Sequence, residues 1–481
     1  MSTPYDEFKT TVYDYAIIGT GVTESIVAAS LSHQHKSVVV IDPHQLYGVH
    51  SSYINYRELE NTIKDLTTSY SIEIPLKDLS LQRSISIDLT PQLFYANGSL
   101  INLIAEAEIH RYMEFLSVDA VYLYTKDKIM RVPDSKNALF TCNDLTLIEK
   151  RQLMRFLNDI YTERKLSPEE TQLYKGISSF GSLRKYMNSI KLSQLCQDMV
   201  IYGICMSSDN DMDNPLEILS RLQKYANSLG KYGTSPFILC RYGFGDVAQG
   251  FSRSSSVVGG IFLCCHPFSE ITKKDNEYHI QCSSPVGRTG TTQFTVRSKN
   301  LIKNAFFEKG IESRKVNYLQ AFTTEELPFE RRGYFTLPGI SQKSIQGIVS
   351  RIEGMTTIAL SVEHIDGEEH VLEQALEKIF SEYKEKCVFM IKYSLELRQW
   401  KEMKNNNGIL ICSDGTIGIN SDVDIIINEA KSLCGEKLFR DDEIVEEVPI
   451  EEFQQLEKRK NEEAQTTQQE VEEKKQENKL N

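Results

Sequence analysis

No run of eighteen apolar residues occurs in the 481-residue chain. A membrane-crossing helix needs about twenty, so none is expected. The longest apolar stretch, Val257 to Cys265, is broken by two glycines. The start, MSTPYDEFKTT, has no basic patch, apolar core or cleavage site, so no secretory leader is expected, and the closing Lys479, Leu480 and Asn481 offer no prenylation cysteine. The ten cysteines contain no CxxC pair and no Cys/His set spaced for zinc; scattered thiols suit a reducing compartment, and no metal is expected. HExxH, GxSxG and the Walker loop are missing, leaving no catalytic machinery to point to. Positive charge is outnumbered, with 54 Lys and Arg against 67 Asp and Glu: the net charge is −13, which repels phosphates and argues against a nucleic-acid partner.

The balance that is present, 40% hydrophobic and 25% charged residues, is that of a globular protein, and the length calls for two or three domains. From Tyr13 an apolar strand leads into a glycine turn, a helix of small and apolar residues, and a second strand ending in Asp42, the order of a βαβ unit. In a dinucleotide-binding turn, Gly19 would make the tight bend, Gly21 would let backbone N–H groups approach a diphosphate at the helix N-terminus, and Asp42 would receive ribose hydroxyls. Glu24 stands where a third glycine is expected. Its bulk and charge oppose a diphosphate, so the turn reads as a relict that packs helix on strand, and no cofactor is expected. A retained flavin or nicotinamide site is the alternative.

The expected fold class is α/β (α+β): a flavoprotein-like dinucleotide fold at 1–131, interrupted by an all-helical domain at 132–231 and resumed as a β-rich part at 232–440. Ser256 to Cys265, Glu277 to Cys282 and Ile358 to Val362 read as strands. Residues 283–350 carry no recognised motif. Between Glu436 and Asn481 there are 15 acidic and 8 basic side chains, net −7. The stretch from about 441 to 481 is therefore expected to be a solvated acidic tail.

Three blocks resemble the Rab escort protein and Rab GDP-dissociation inhibitor superfamily. GTGVTE with the later IDPHQLYG resembles the family's GTGxTE turn and its ID…YYG segment. Arg241 to Cys265, RYGFGDVAQGFSRSSSVVGGIFLCC, resembles its YGxGELPQGFxRxxAxxGGxY block. Leu145 to Leu157, LTLIEKRQLMRFL, and Ile87 to Phe115, with its RYxEF ending, are similar to the escort branch.

The resemblance implies a flavoprotein-type fold that does not use flavin and a platform that grips GDP-bound Rab GTPases. Carried over by position, the platform is Tyr47, Asp246, Arg253 and Leu263; Asp246 stands for the usual Glu, and Val247-Ala248 for Leu-Pro. It further implies a non-catalytic accessory role: presenting a new Rab to the Rab geranylgeranyltransferase α/β heterodimer, shielding the geranylgeranyl lipid, and a cytoplasmic location with transient membrane contact. Docking on the transferase would use the helix from Glu149 to Ile160, with Phe156 as an apolar anchor. Leu153, Phe156, Leu157 and Ile160 also share the spacing of a buried helix face, so core packing remains open. Met199, Val200, Ile201, Ile204 and Met206 are candidates either for lipid-groove walls or for core. The alternatives are a GDP-dissociation inhibitor that extracts lipidated Rab, and an FAD-dependent oxidoreductase.

Overall fold

The computed structural model describes residues 5–439 apart from 210, 286–290, 400–403, 407, 417 and 420–422. The expected acidic tail at 441–481 lies outside the described residues.

Val12–Ile18 and Val38–Asp42 are apolar enough to be covered on both faces, the requirement for a parallel pair. They do pair in parallel, with Tyr15 opposite Val38. The Val22–His33 helix between them is buried at eleven of its twelve positions. Its alanines and serines allow that close approach: Ser25 meets Ser252 at 3.1 Å and Ser32 meets Ser255 at 2.8 Å, both across to the Gly245–Val257 helix.

The first sheet runs Ile261–Cys264, Val38–Asp42, Val12–Ile18, Gln293–Asn304, Glu277–Ser283, Phe268–Lys274, with Ile409–Cys412 also beside Gln293–Asn304. Ile261–Cys264, Val38–Asp42, Val12–Ile18, Gln293–Asn304 and Ile409–Cys412 form its parallel part. Glu277–Ser283 and Phe268–Lys274 are antiparallel. The expected strand from Ser256 to Cys265 needs correction. The chain stays helical to Val257 and becomes a strand at Ile261. Val257 and Val258 are an exposed helix end, 73% and 43% accessible, and a short β-branched run does not distinguish that from a buried strand.

The second sheet, of eight strands among the described residues, is ordered Ser69–Ile74, Cys387–Leu397, Arg314–Thr323, Met355–Glu363, Ile345–Ile352, Arg332–Leu337, Ala120–Thr125, Lys128–Val132. Two of its members, Arg314–Thr323 and Arg332–Leu337, and most of a third, Ile345–Ile352, come from 283–350, the stretch without a motif.

From Lys136 to Ser228 the described residues contain helices and no strand. Leu147–Glu163 begins with a capping box: the Glu149 N–H donates to Thr146 Oγ1 at 3.3 Å, and the Thr146 N–H donates to the Glu149 carboxylate at 2.8 Å, which satisfies donors the first turn would otherwise leave free. Met199–Ile204 is a π-helix, whose wider winding frees carbonyls from the usual ladder. Strand side chains take up carbonyls here: Tyr95 donates to that of Ile204, Thr336 to that of Tyr202 and Gln346 to that of Met206, just beyond the π-helix.

Candidate functional site

Gly19 has φ +102°, a conformation that favours glycine. Gly21 is required for a different reason from the one the sequence suggests. The Glu24 carboxyl folds back over it, so that a Cβ at Gly21 would lie 2.3 Å from Glu24 Oε2 and 2.8 Å from Asn304 Nδ2. Asn304 Nδ2 donates to the Glu24 carboxyl at 3.0 Å. Burial is the main cause that raises Glu24 to about 8, so at neutral pH the group is largely neutral. Its bulk, more than its charge, fills the place of a diphosphate.

Asp42 is equally committed. One oxygen accepts from the Thr20 N–H at 2.9 Å and the Thr20 hydroxyl at 2.7 Å; the other accepts from the His44 N–H at 2.8 Å and contacts His44 Nδ1 at 2.9 Å. Instead of receiving ribose, Asp42 braces the turn against the loop that carries Tyr47, and the Gly48 N–H closes the brace on the Thr20 carbonyl at 2.9 Å. A dinucleotide therefore does not fit the residues present.

Tyr47 is half-buried against Phe262, ring centres 6.1 Å apart. Burial and a hydrogen bond with Cys264 push its hydroxyl pKa up. Leu263 does not join it. Alternate residues of a strand face opposite ways, and Leu263, 8% exposed, packs with Tyr13, Ile18 and Ile41 in the core. The expectation that Leu263 lines a gripping surface is thus corrected.

Asp246 and Arg253 lie on one helix, Gly245–Val257, seven residues and about two turns apart, which puts them on one face roughly 10 Å apart along the axis. The helix starts on a half-buried acid. Asp88 accepts from the Phe244 N–H at 2.9 Å, and a Cβ at Gly243, where φ is +132°, would lie 3.0 Å from the Asp88 carboxylate. Burial first, with Asp246 adding repulsion, raises Asp88 to about 7. Asp246, half-buried, is raised to about 6 chiefly by burial and then by Glu114, against a backbone hydrogen bond from Tyr242.

Arg253 is exposed, its guanidinium 4.0 Å from the centre of the Tyr112 ring. Tyr112 and Tyr242, 49% and 53% exposed, complete this surface. The sequence alone singles out neither, although Tyr112 lies in the RYxEF segment and Tyr242 in the RYGFGD block.

In the helical layer Phe156 is 2% exposed and packs with Leu153 and Ile160. It is core and not an anchor, because the apolar stripe of its helix faces inward. Met199, Val200, Ile201, Ile204 and Met206 are all buried in the same cluster, as the core reading of these residues expects. The helix instead presents Leu147 and Ile148, 73% and 69% exposed, at its start.

A model of the family described as GDP dissociation inhibitor matches residues 8–302. The chain is 31% identical over 327 residues to the Rab proteins geranylgeranyltransferase component A of Drosophila melanogaster, covering 62% of this chain and 61% of that one. It is 30% identical over 271 residues to a probable secretory pathway GDP dissociation inhibitor 1 of Schizosaccharomyces pombe, covering 55% and 59%. The matches thus span about three fifths of these curated relatives.

Among solved structures, a Rab GDI from Plasmodium falciparum aligns with TM-score 0.69 at 19% identity, over 88% of this chain and 98% of that one. An oxidoreductase from Methanosarcina mazei aligns with TM-score 0.53 at 12% identity, over 87% and 99%. The fold is that of the flavoprotein-like α/β class.

Proposed function

The chain belongs to the GDP dissociation inhibitor family, and from that premise we propose that it is a Rab escort protein. It binds newly made GDP-bound Rab GTPases on the face of the Gly245–Val257 helix and presents them to the Rab geranylgeranyltransferase heterodimer. It then carries the lipidated Rab through the cytoplasm to membranes. The chemistry belongs to the transferase, and this chain is its non-catalytic accessory.

The observation that carries the reading is the surface itself. An exposed guanidinium and a half-buried carboxylate stand on one helix face, beside a nucleotide turn occupied by the chain's own Glu24. Such a charge pair gives register with a partner more than raw affinity. The similarity to the Drosophila component A supports the escort role. The nearly equal similarity to the yeast inhibitor supports a second reading, in which the chain extracts and recycles lipidated Rab. An oxidoreductase is disfavoured by the filled turn.

The test is reconstitution of a GDP-bound Rab, the transferase and geranylgeranyl diphosphate, with and without this chain. An escort makes lipid transfer depend on the chain. Equal transfer without it overturns the escort role, and selective binding of lipidated Rab with no affinity for the transferase selects the inhibitor.

A further inference from the structure

We infer that Tyr112 is a positioning residue for partner capture: its ring holds the Arg253 guanidinium ready for a carboxylate of the bound GTPase. This rests on the reading of the Gly245–Val257 helix as the gripping surface and adds a residue to it.

Two arginines flank that surface, and they are used differently. Arg241 contacts Glu114 at 3.1 Å and also pairs with Glu353, so its charge is neutralised within the chain. Among the described residues Arg253 has no ion-pair partner. Its guanidinium lies over the face of Tyr112, a contact that orients a cation without cancelling its charge.

An exposed arginine loses rotamer freedom when it engages a partner, and ordering it beforehand removes part of that cost. The ring is itself fixed by the fold. Tyr112 ends the short helix Ile109–Tyr112, which packs against the Gly245–Val257 helix where Gly250 offers no side chain. A Cβ there would come within 3.2 Å of Ile109 Cδ1 and 3.4 Å of Met113 Sδ. Gly250 lies one turn before Arg253, so the close packing at Gly250 is what brings the tyrosine under the guanidinium.

The experiment measures binding of a purified, unlipidated, GDP-loaded Rab to the full chain and its variants. Arg253→Ala is expected to weaken binding by at least about thirtyfold, the loss typical of truncating one member of an interfacial charge pair. Tyr112→Leu is expected to weaken it about two- to fivefold, the size of an exposed cation–π contact. Tyr112→Phe, which keeps the ring, is expected to restore affinity, and Tyr112→Leu is expected to add nothing to Arg253→Ala.

If Arg253→Ala weakens capture while Tyr112→Leu does not, the positioning role falls and the surface stands. Should Tyr112→Leu cost as much in the Arg253→Ala background as alone, the tyrosine touches the partner directly and the inference is wrong. An Arg253→Ala variant with unchanged affinity overturns the gripping surface itself.

Discussion

At the scale of single residues, the glycine turn yields two predictions. In the unfolded chain Glu24 titrates near 4.5, and in the folded chain near 8. Between those values the folded protein keeps a proton that the unfolded one has released. Stability therefore falls as pH rises through this window, by about 1.4 kcal/mol per unit for this one group, and below pH 4.5 the group adds no dependence. Glu429, raised to about 7, acts in the same direction over the lower part of the range. Urea unfolding at pH 5.5, 7 and 8.5 should give a flatter profile for Glu24→Gln than for the native chain; identical profiles would mean Glu24 is ionised when folded. The second prediction concerns Gly21. Gly21→Ala forces a Cβ into the Glu24 carboxyl and should cost about 1–3 kcal/mol, as overpacking does. In a Glu24→Ala background the part due to Glu24 should vanish, leaving the close approach of the same Cβ to Asn304 Nδ2 at 2.8 Å. An undiminished cost would mean that Asn304 alone, and not Glu24, demands the glycine.

These residues also mark how far the sequence can be read. Gly19, Gly21, Glu24 and Asp42 were legible as a turn that opposes a nucleotide, because strand, turn, helix and acid follow in a fixed order. What replaces the nucleotide was not legible, since Asn304 and His44 reach the turn only through the folded sheet and loop.

At the scale of elements, the helix Leu147–Glu163 shows the limit of periodicity. Its spacing announced a buried stripe and, equally, a docking helix, and spacing alone does not say which way an aromatic faces. The inward face is occupied by Phe156, the outward start by Leu147 and Ile148. Phe156→Ala should therefore destabilise the fold by about 3–5 kcal/mol, read as a lowered urea midpoint. Leu147→Glu combined with Ile148→Glu should leave the midpoint nearly unchanged, because both side chains already face water. If the escort reading holds and this helix meets the transferase, the double variant should lose transferase binding while still capturing Rab. Retained binding would move the docking site elsewhere. Helix and strand identity came through well where an apolar run was long, as in Val12–Ile18 and Val38–Asp42. It failed at Val257, where a helix end and a strand start lie four residues apart around two glycines.

At the scale of the whole molecule, the helical segment reads in sequence as a separate insertion, yet its core is not its own. Phe156, Leu173, Met187, Ile201 and Leu222 share one hydrophobic cluster with Val121, Leu123, Tyr334 and Ile348 of the second sheet. The buried carbonyls of the π-helix region are satisfied by Tyr95, Thr336 and Gln346, which lie outside the segment. Cut out, the segment would expose the apolar face the sheet covers and lose donors whose absence costs about 1–3 kcal/mol for each group left buried. A fragment of residues 132–231 should therefore be at best a loosely packed helical state, with far-ultraviolet helix signal but little near-ultraviolet signal and strong binding of a hydrophobic dye. By the same argument, the two sheets and the helices should unfold together, with fluorescence and circular dichroism tracing coincident urea transitions in the full chain. A fragment with a sharp transition of its own, or a full chain that loses its helices before its sheets, would show that the shared cluster does not bind the parts into one cooperative unit.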